Sequence, residues 1–237
     1  MIFEPIGNTI DGIPERVRHL QSQIELVLIP GGLSNLGAHQ DDQEQFENEA
    51  QHQLRIVPFF LGVVPVTWQQ WWNVRNDTPF HFQFVGTQAW PAESVSFELV
   101  QQFLQQSGGH LRLPNEWEWE HACRGGNPDP RYGHIQDIAW WAPLNEHMTL
   151  QSVGWLKPNN FGLHDMLGMV WEWTSSEGSW EPGCRVLRGG SFQSLSRSLR
   201  ASARREVEPG HVDRQVGFRV AASVDCVVSN LKNADAP

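Results

Sequence analysis

Beyond Asn127, glycine, proline and asparagine recur every few residues and apolar runs stay short, so convincing helices disappear from the second half of the chain. Such a chain must cover its loops with side chains instead. It has the means, with 12 Trp and 12 Phe against a single Tyr. Large flat side chains can shield irregular backbone that regular elements leave bare. At 237 residues there is ample material for the core of one large domain, or of a domain with a modest extension. No internal repeat or low-complexity linker argues for more than one.

The first half reads more regularly. Residues 11–24 have the spacing of a short amphipathic helix with Pro14 in its first turn. Glu25 to Gly32 reads as a strand closed by a turn, and Arg55 to Gly62 as a second strand. Between them Asp41 to Gln53 is polar and acidic, as expected of an exposed loop. Thr67 should cap a helix running through Asn73. Ser94 to Gln106 carries Val95, Leu99, Phe103 and Leu104 at helical spacing and stops at Gly108-Gly109. Leu113 to Cys123 is a further helix, with Pro114 early and Arg124-Gly-Gly126 ending it. Late strands are expected at Cys184–Leu187 and Gly217–Ala222. These features divide the chain into an N-terminal extension (1–24), a main domain (25–226) and a loose polar tail (227–237).

A net charge of −10 argues against a nucleic-acid or anionic-membrane surface. Six of the 17 basic residues nevertheless fall between Arg185 and Arg205, a local excess suited to an anionic ligand or to nearby carboxylates. Three cysteines, Cys123, Cys184 and Cys226, are too few for a disulfide scaffold. The start of the chain lacks a basic region followed by an apolar run, and no apolar stretch approaches membrane-spanning length. A cytoplasmic protein is the expectation.

Two blocks say most: Gly162-Leu-His-Asp-Met-Leu-Gly-Met-Val-Trp-Glu-Trp173 and Arg185-Val-Leu-Arg-Gly-Gly-Ser-Phe192. They resemble the sulfatase-modifying family, whose founding member is the formylglycine-generating enzyme. Val27–Gly32, Val64–Thr67, Leu113–Gly126, Val153–Gly162 and the close from Arg204 to Arg219 resemble further segments of that family, in the same order. The resemblance covers roughly residues 25–222. It implies an α+β, C-type-lectin-like fold with little regular secondary structure, a small antiparallel sheet and two main helices.

The resemblance also implies a site. One structural calcium ion would be held by the side chains of Asp165 and Glu172 and the carbonyls of Gly168 and Val170, a hard-oxygen set that suits such a cation. The enzymes bind copper through two thiolates five residues apart; here Ser194 and Leu199 occupy those positions. Cu(I) requires soft ligands, so no copper is expected. Ser194 as a nucleophile would need an oriented base; His211 is the one histidine after His164, and the sequence alone does not say whether the two are neighbours. The three-histidine iron site of sulfoxide-forming relatives needs a helical domain that the short N-terminal segment does not supply.

What remains is a groove that the resemblance assigns to residues 192–216. Ser191, Ser194, Arg197, Arg200, Arg205, His211, Arg214, Trp173 and Trp180 are its candidate ligand-binding residues, since guanidinium forks recognise carboxylate and phosphate. Arg188, Arg204 and Arg219 fall in the family's motifs and are expected to hold the fold through carboxylates such as Glu118 or Glu172. The expected function is non-catalytic binding of a peptide, a protein or a small ligand, the partner being an anionic peptide or protein. The alternatives are a cysteine-independent oxidative tailoring enzyme and a retroelement-diversified variable binding protein. Gln193, Glu206, Glu208 and Gln215 weaken the last, because adenine-directed mutagenesis does not readily yield them from asparagine codons.

Overall fold

Asp11 and Gly12 both take positive φ, 51° and 80°, as a two-residue hairpin turn with the twist of its flanking strands requires. That turn overrides the helical spacing of residues 11–24. It joins β1 (Phe3–Ile10) to β2 (Ile13–His19), which pairs on to β3 (Ile24–Ile29). The N-terminal segment is therefore no extension. The computed structural model describes residues 1–77, 87–143 and 149–234.

The expected strand from Arg55 to Gly62 is broken at Val57-Pro58. β4 (Gly32–Leu36) pairs only with β5 (His52–Ile56), while β6 (Phe59–Gly62) pairs with β3. The helices follow their caps. Thr67 and Gln70 close a reciprocal capping box ahead of α1 (Trp68–Val74), and Ser96 caps α2 (Phe97–Gln106). Asn115 and Glu118 form a second box ahead of α3 (Glu116–Arg124), which ends on left-handed Gly125.

Next come a single turn, α4 (Ile135–Ile138), and the short parallel pair of β7 (Ala139–Trp140) and β8 (Leu167–Gly168). A four-stranded sheet follows from β9 (Trp171–Glu177), β10 (Arg185–Arg188), β11 (Arg204–Val207) and β12 (Val216–Phe218). Its order is β11-β10-β9-β12, with β12 parallel to β9. The predicted strand Gly217–Ala222 splits, and β13 (Ala221–Ser223) crosses to the edge of the five-stranded sheet β1-β2-β3-β6-β13.

Residues 224–234 form α5 (Val224–Ala234), not a loose tail, and Val227 is fully buried in the core. That core lies between the two larger sheets and helices α1 and α2. At its centre Trp71 stacks on Phe103 at 5.4 Å and meets Phe218 edge-on at 6.1 Å, geometries that aromatic quadrupoles favour. A second cluster gathers Trp119, Leu163 and Leu199.

His19 sits inside the N-terminal sheet, 1% exposed, its Nδ1 2.8 Å from the Ser22 hydroxyl. Burial drives its pKa down to about 4, the nearby His110 pushes the same way, and a bond to the Ser107 backbone only partly opposes them. Below the ordinary value of 6.5 the unfolded chain therefore takes a proton that the fold refuses. Stability from His19 is complete above pH 6.5 and is lost as pH falls towards 4. Urea unfolding should show about 2 kcal/mol lost from this group between pH 7 and pH 5. The His19→Gln variant should have a pH slope flatter by that amount.

Candidate functional site

Glu206 on β11 organises one wall of a surface cleft. Its carboxylate accepts the backbone amides of Ser179, Trp180 and Glu181 at 2.9, 3.1 and 3.0 Å. Burial alone would raise the Glu206 pKa, but those amides and the Arg204 charge outweigh it and hold the group below the usual carboxylate range. The 178–184 turn is thereby fixed, and it presents the Trp180 indole 62% exposed. A Cβ on Gly178 would stand 2.5 Å from Glu206 Oε2, so the turn closes this tightly only on glycine.

The opposite wall is the acidic stretch expected to be an exposed loop. It is tied down from within. Arg200, 0% exposed, sends two bonds to Glu49 at 2.6 and 2.8 Å and one to Asp42 at 3.0 Å. Glu44 accepts from Arg131 at 2.6 Å and from the Ser196 hydroxyl at 2.8 Å. Phe46 lies 4.0 Å beneath the Arg197 guanidinium.

Between these walls, over Trp171, runs a cleft of about 520 Å³. Its cationic groups differ in what they have left to offer. Arg204 is neutralised by Glu116 at 2.9 Å and Glu206 at 3.1 Å. Arg197 donates to the carbonyls of Glu44 and Gln45 at 2.9 Å each, bonds that hold it without cancelling its charge. Arg205, exposed on β11 and lining the cleft, has no carboxylate partner among the described residues.

The candidate residues therefore sort themselves. Trp180, Arg197 and Arg205 converge on the cleft. Arg200 does not, being consumed by Glu49. Trp173 is fully buried and donates its indole N–H to the Val95 carbonyl at 2.8 Å. Arg214 lies 4.0 Å from Glu93, and His211 keeps a buried Nε2 with no partner among the described residues; neither lines the cleft. Phe46, Asn48 and Trp171 line it without having been singled out. The signal for that wall was charge complementarity, five acidic residues between Asp41 and Glu49 facing an arginine-rich segment far along the chain.

Ser191 and Ser194 build a closed network beside it. Ser194 Oγ accepts the Ser191 amide at 2.9 Å, and the Ser191 hydroxyl donates to Gln215 Oε1 at 2.7 Å. Among the described residues no histidine or carboxylate bonds to the Ser194 hydroxyl. Leu199 is fully buried. Cys123 is a buried free thiol whose pKa burial drives far up, and Cys184 and Cys226 are also free.

The three arginines expected to hold the fold do so: Arg188 pairs with Glu120, Arg204 with Glu116, and Arg219 with Glu172. The last pair bears on calcium. Both Glu172 oxygens accept from Arg219, and Oε2 also accepts the Trp119 indole at 2.6 Å. Asp165 is buried too, with Oδ2 taking the Gly154 amide at 2.6 Å and Oδ1 without a partner among the described residues. Burial raises the Asp165 pKa. Of the two expected side-chain ligands, only Asp165 keeps a free oxygen. In this arrangement the residues do not fit a calcium cage, because an ion would have to displace Arg219 from Glu172.

Known proteins bear on this geometry. A family model described as the sulfatase-modifying factor enzyme 1-like domain matches residues 14–224. Formylglycine-generating enzyme of Streptomyces coelicolor is 26% identical over 234 residues, covering 79% of this chain and 72% of that enzyme. Serine/threonine-protein kinase pkn1 of Chlamydia pneumoniae is 27% identical over 95% of this chain, which spans only 42% of the kinase. The solved structure of PvdO from Pseudomonas aeruginosa superposes with a TM-score of 0.77 over 86% of this chain and 95% of that one. At 20% identity that likeness shows the fold. No helix among the described residues is long and apolar enough to cross a membrane.

Proposed function

We propose that this chain, which belongs to the sulfatase-modifying factor enzyme 1-like domain family, works as a binding module whose anionic peptide or protein ligand lies in the cleft between Trp180 and Phe46. One observation carries the reading. Where the copper enzymes of the family are expected to place two thiolates, this chain has a serine held by its neighbours and a buried leucine. Beside them it keeps a cleft with two guanidiniums, Arg197 and Arg205, neither of which forms an ion pair with a carboxylate among the described residues.

Arg205 supplies the free fork for a carboxylate or phosphate, and Trp180 the flat apolar area beside it. Side chains of these types dominate interface energetics when they sit in well-packed pockets. The tailoring-enzyme alternative would ask the cleft for a base or a redox group. The titratable side chains lining it are Glu47 and three arginines, an excess of cations that suits an anionic ligand, with Glu47 the single group there that could act as a base. The variable-protein alternative needs side chains that can be exchanged freely. In the 192–216 segment Arg200, Ser202, Arg204 and Glu206 are all engaged in bonds that shape the fold.

The test is intrinsic tryptophan fluorescence during titration with an acidic, phenylalanine-containing hexapeptide and with its lysine-substituted counterpart. The acidic peptide should quench saturably, more weakly as salt screens the rim charge. Arg205→Glu should cost at least about tenfold in affinity, and Trp180→Ala a comparable amount. Equal binding of the two peptides, or of wild type and Arg205→Glu, would overturn the reading.

A further inference from the structure

Trp180 lines more than the cleft described above. It also borders a second hollow of about 540 Å³, whose rim carries Glu98, Glu181 and Glu208. All three carboxylates are exposed, and none has a basic partner among the described residues. The floor holds the Cys184 thiol, which donates to Glu181 Oε2 at 3.5 Å. Burial raises the pKa of that thiol, and the carboxylates of Glu181, Glu208 and Glu206 add to the rise, so the hollow carries a negative field. A basic-aromatic cleft and an acidic hollow thus share a single wall. That wall does not need ordering on binding, because Glu206 already holds the turn through three backbone amides.

We infer that the occupant is a polypeptide segment of mixed charge that crosses Trp180, its acidic side chain beside Arg197 and Arg205 and its basic side chain in the Glu98–Glu181–Glu208 hollow. The inference rests on the binding reading above and names the class of ligand that the site takes. Charge complementarity selects it, since a purely anionic ligand would leave three unpaired carboxylates at its edge. An extended chain offers the required spacing, because side chains two residues apart on one face stand about 7 Å apart and can straddle an indole. The backbone between them would lie across the exposed Trp180 indole, with the intervening side chain pointing away from the protein.

Four labelled peptides of one length test this by fluorescence anisotropy: acid–phenylalanine–lysine, the same with the lysine changed to glutamine, the same with it changed to glutamate, and the reversed order. Either the forward or the reversed mixed-charge peptide should bind about tenfold more tightly than the glutamine version, and the glutamate version more weakly still. The Glu98→Gln, Glu208→Gln double variant, altered only at exposed positions, should erase that preference while keeping the affinity of the glutamine peptide. If the glutamine and lysine peptides bind alike, the inference fails and the anionic-cleft reading survives. If no peptide binds, or Trp180→Ala changes nothing, both fail.

Discussion

Replacing Glu172 with alanine should lower the unfolding free energy by about 3–5 kcal/mol, the usual cost of stranding one partner of a buried ion pair. For a chain of this size that corresponds to a melting point lower by roughly 6–20 °C. Arg219 and Glu172 are 0% and 1% exposed, so water cannot replace the lost carboxylate. Arg219 also binds the carbonyls of Gly62 and His164 at 2.7 and 2.8 Å, which pin it where it is. Its guanidinium would remain buried, and the Trp119 indole would lose its acceptor. The damage would spread, because Glu172 and Gly217 are opposite one another where β9 meets β12, and Arg219 follows directly in sequence. The Glu172→Met, Arg219→Met double variant should recover part of the loss, since an apolar pair removes both charges together, while the Trp119 indole and the Gly62 and His164 carbonyls still lose the partners they had. Melting in calcium and in EGTA gives this prediction its second edge. If Arg219 is the cation that Glu172 serves, wild type melts at the same temperature in both. A wild-type melting point that drops in EGTA, with Glu172→Ala insensitive, would show that an ion takes the carboxylate from Arg219.

The sequence carried those parts of the fold whose signals are local. The capping boxes at Thr67–Gln70 and Asn115–Glu118, and the left-handed Gly125, each lie within a few residues of the element they bound. Where two local signals competed, the reading failed. Ile13, Val17 and Leu20 fit a helical stripe, but Asp11-Gly12 is also a hairpin turn, and pairing along β3 decided for the strand. Val224, Val227 and Leu231 have helical spacing that the polar trend of the last residues obscured, and packing against the core made it α5. The site divided in the same way. Trp180, Arg197 and Arg205 were recognisable by residue type and place in the chain. Which arginines face the cleft and which brace the fold was not, because bracing depends on carboxylates far away in sequence. Arg200 finds Glu49 across 151 positions, and nothing near either residue announces the pair.

That distant pair yields the other large effect. Glu49→Ala should dismantle one wall of the cleft while the rest of the domain stands. Both Glu49 oxygens bind Arg200, and Oε2 also accepts the Ser202 hydroxyl at 2.9 Å. The pair is 0% exposed on both sides, so its loss carries the same gross cost of about 3–5 kcal/mol. The consequence differs from that at Glu172, because residues 41–50 form turns and no sheet strand. A peripheral segment held by a few ion pairs can open by itself, at a free energy below that of global unfolding. Most of the cost should therefore appear as local opening, with a smaller fall in melting temperature than Glu172→Ala gives. Asp42 remains to Arg200, and Glu44 to Arg131, so the loop should loosen instead of being lost. Amide exchange across residues 38–50 should rise by several orders of magnitude, about tenfold for each 1.4 kcal/mol, while α2 and α3 keep their protection. Phe46 and Asn48 would leave the cleft with the loop, so peptide affinity should fall by at least about tenfold even though Trp180, Arg197 and Arg205 are untouched. Unchanged affinity together with a loosened loop would place the ligand on the Trp180 side alone.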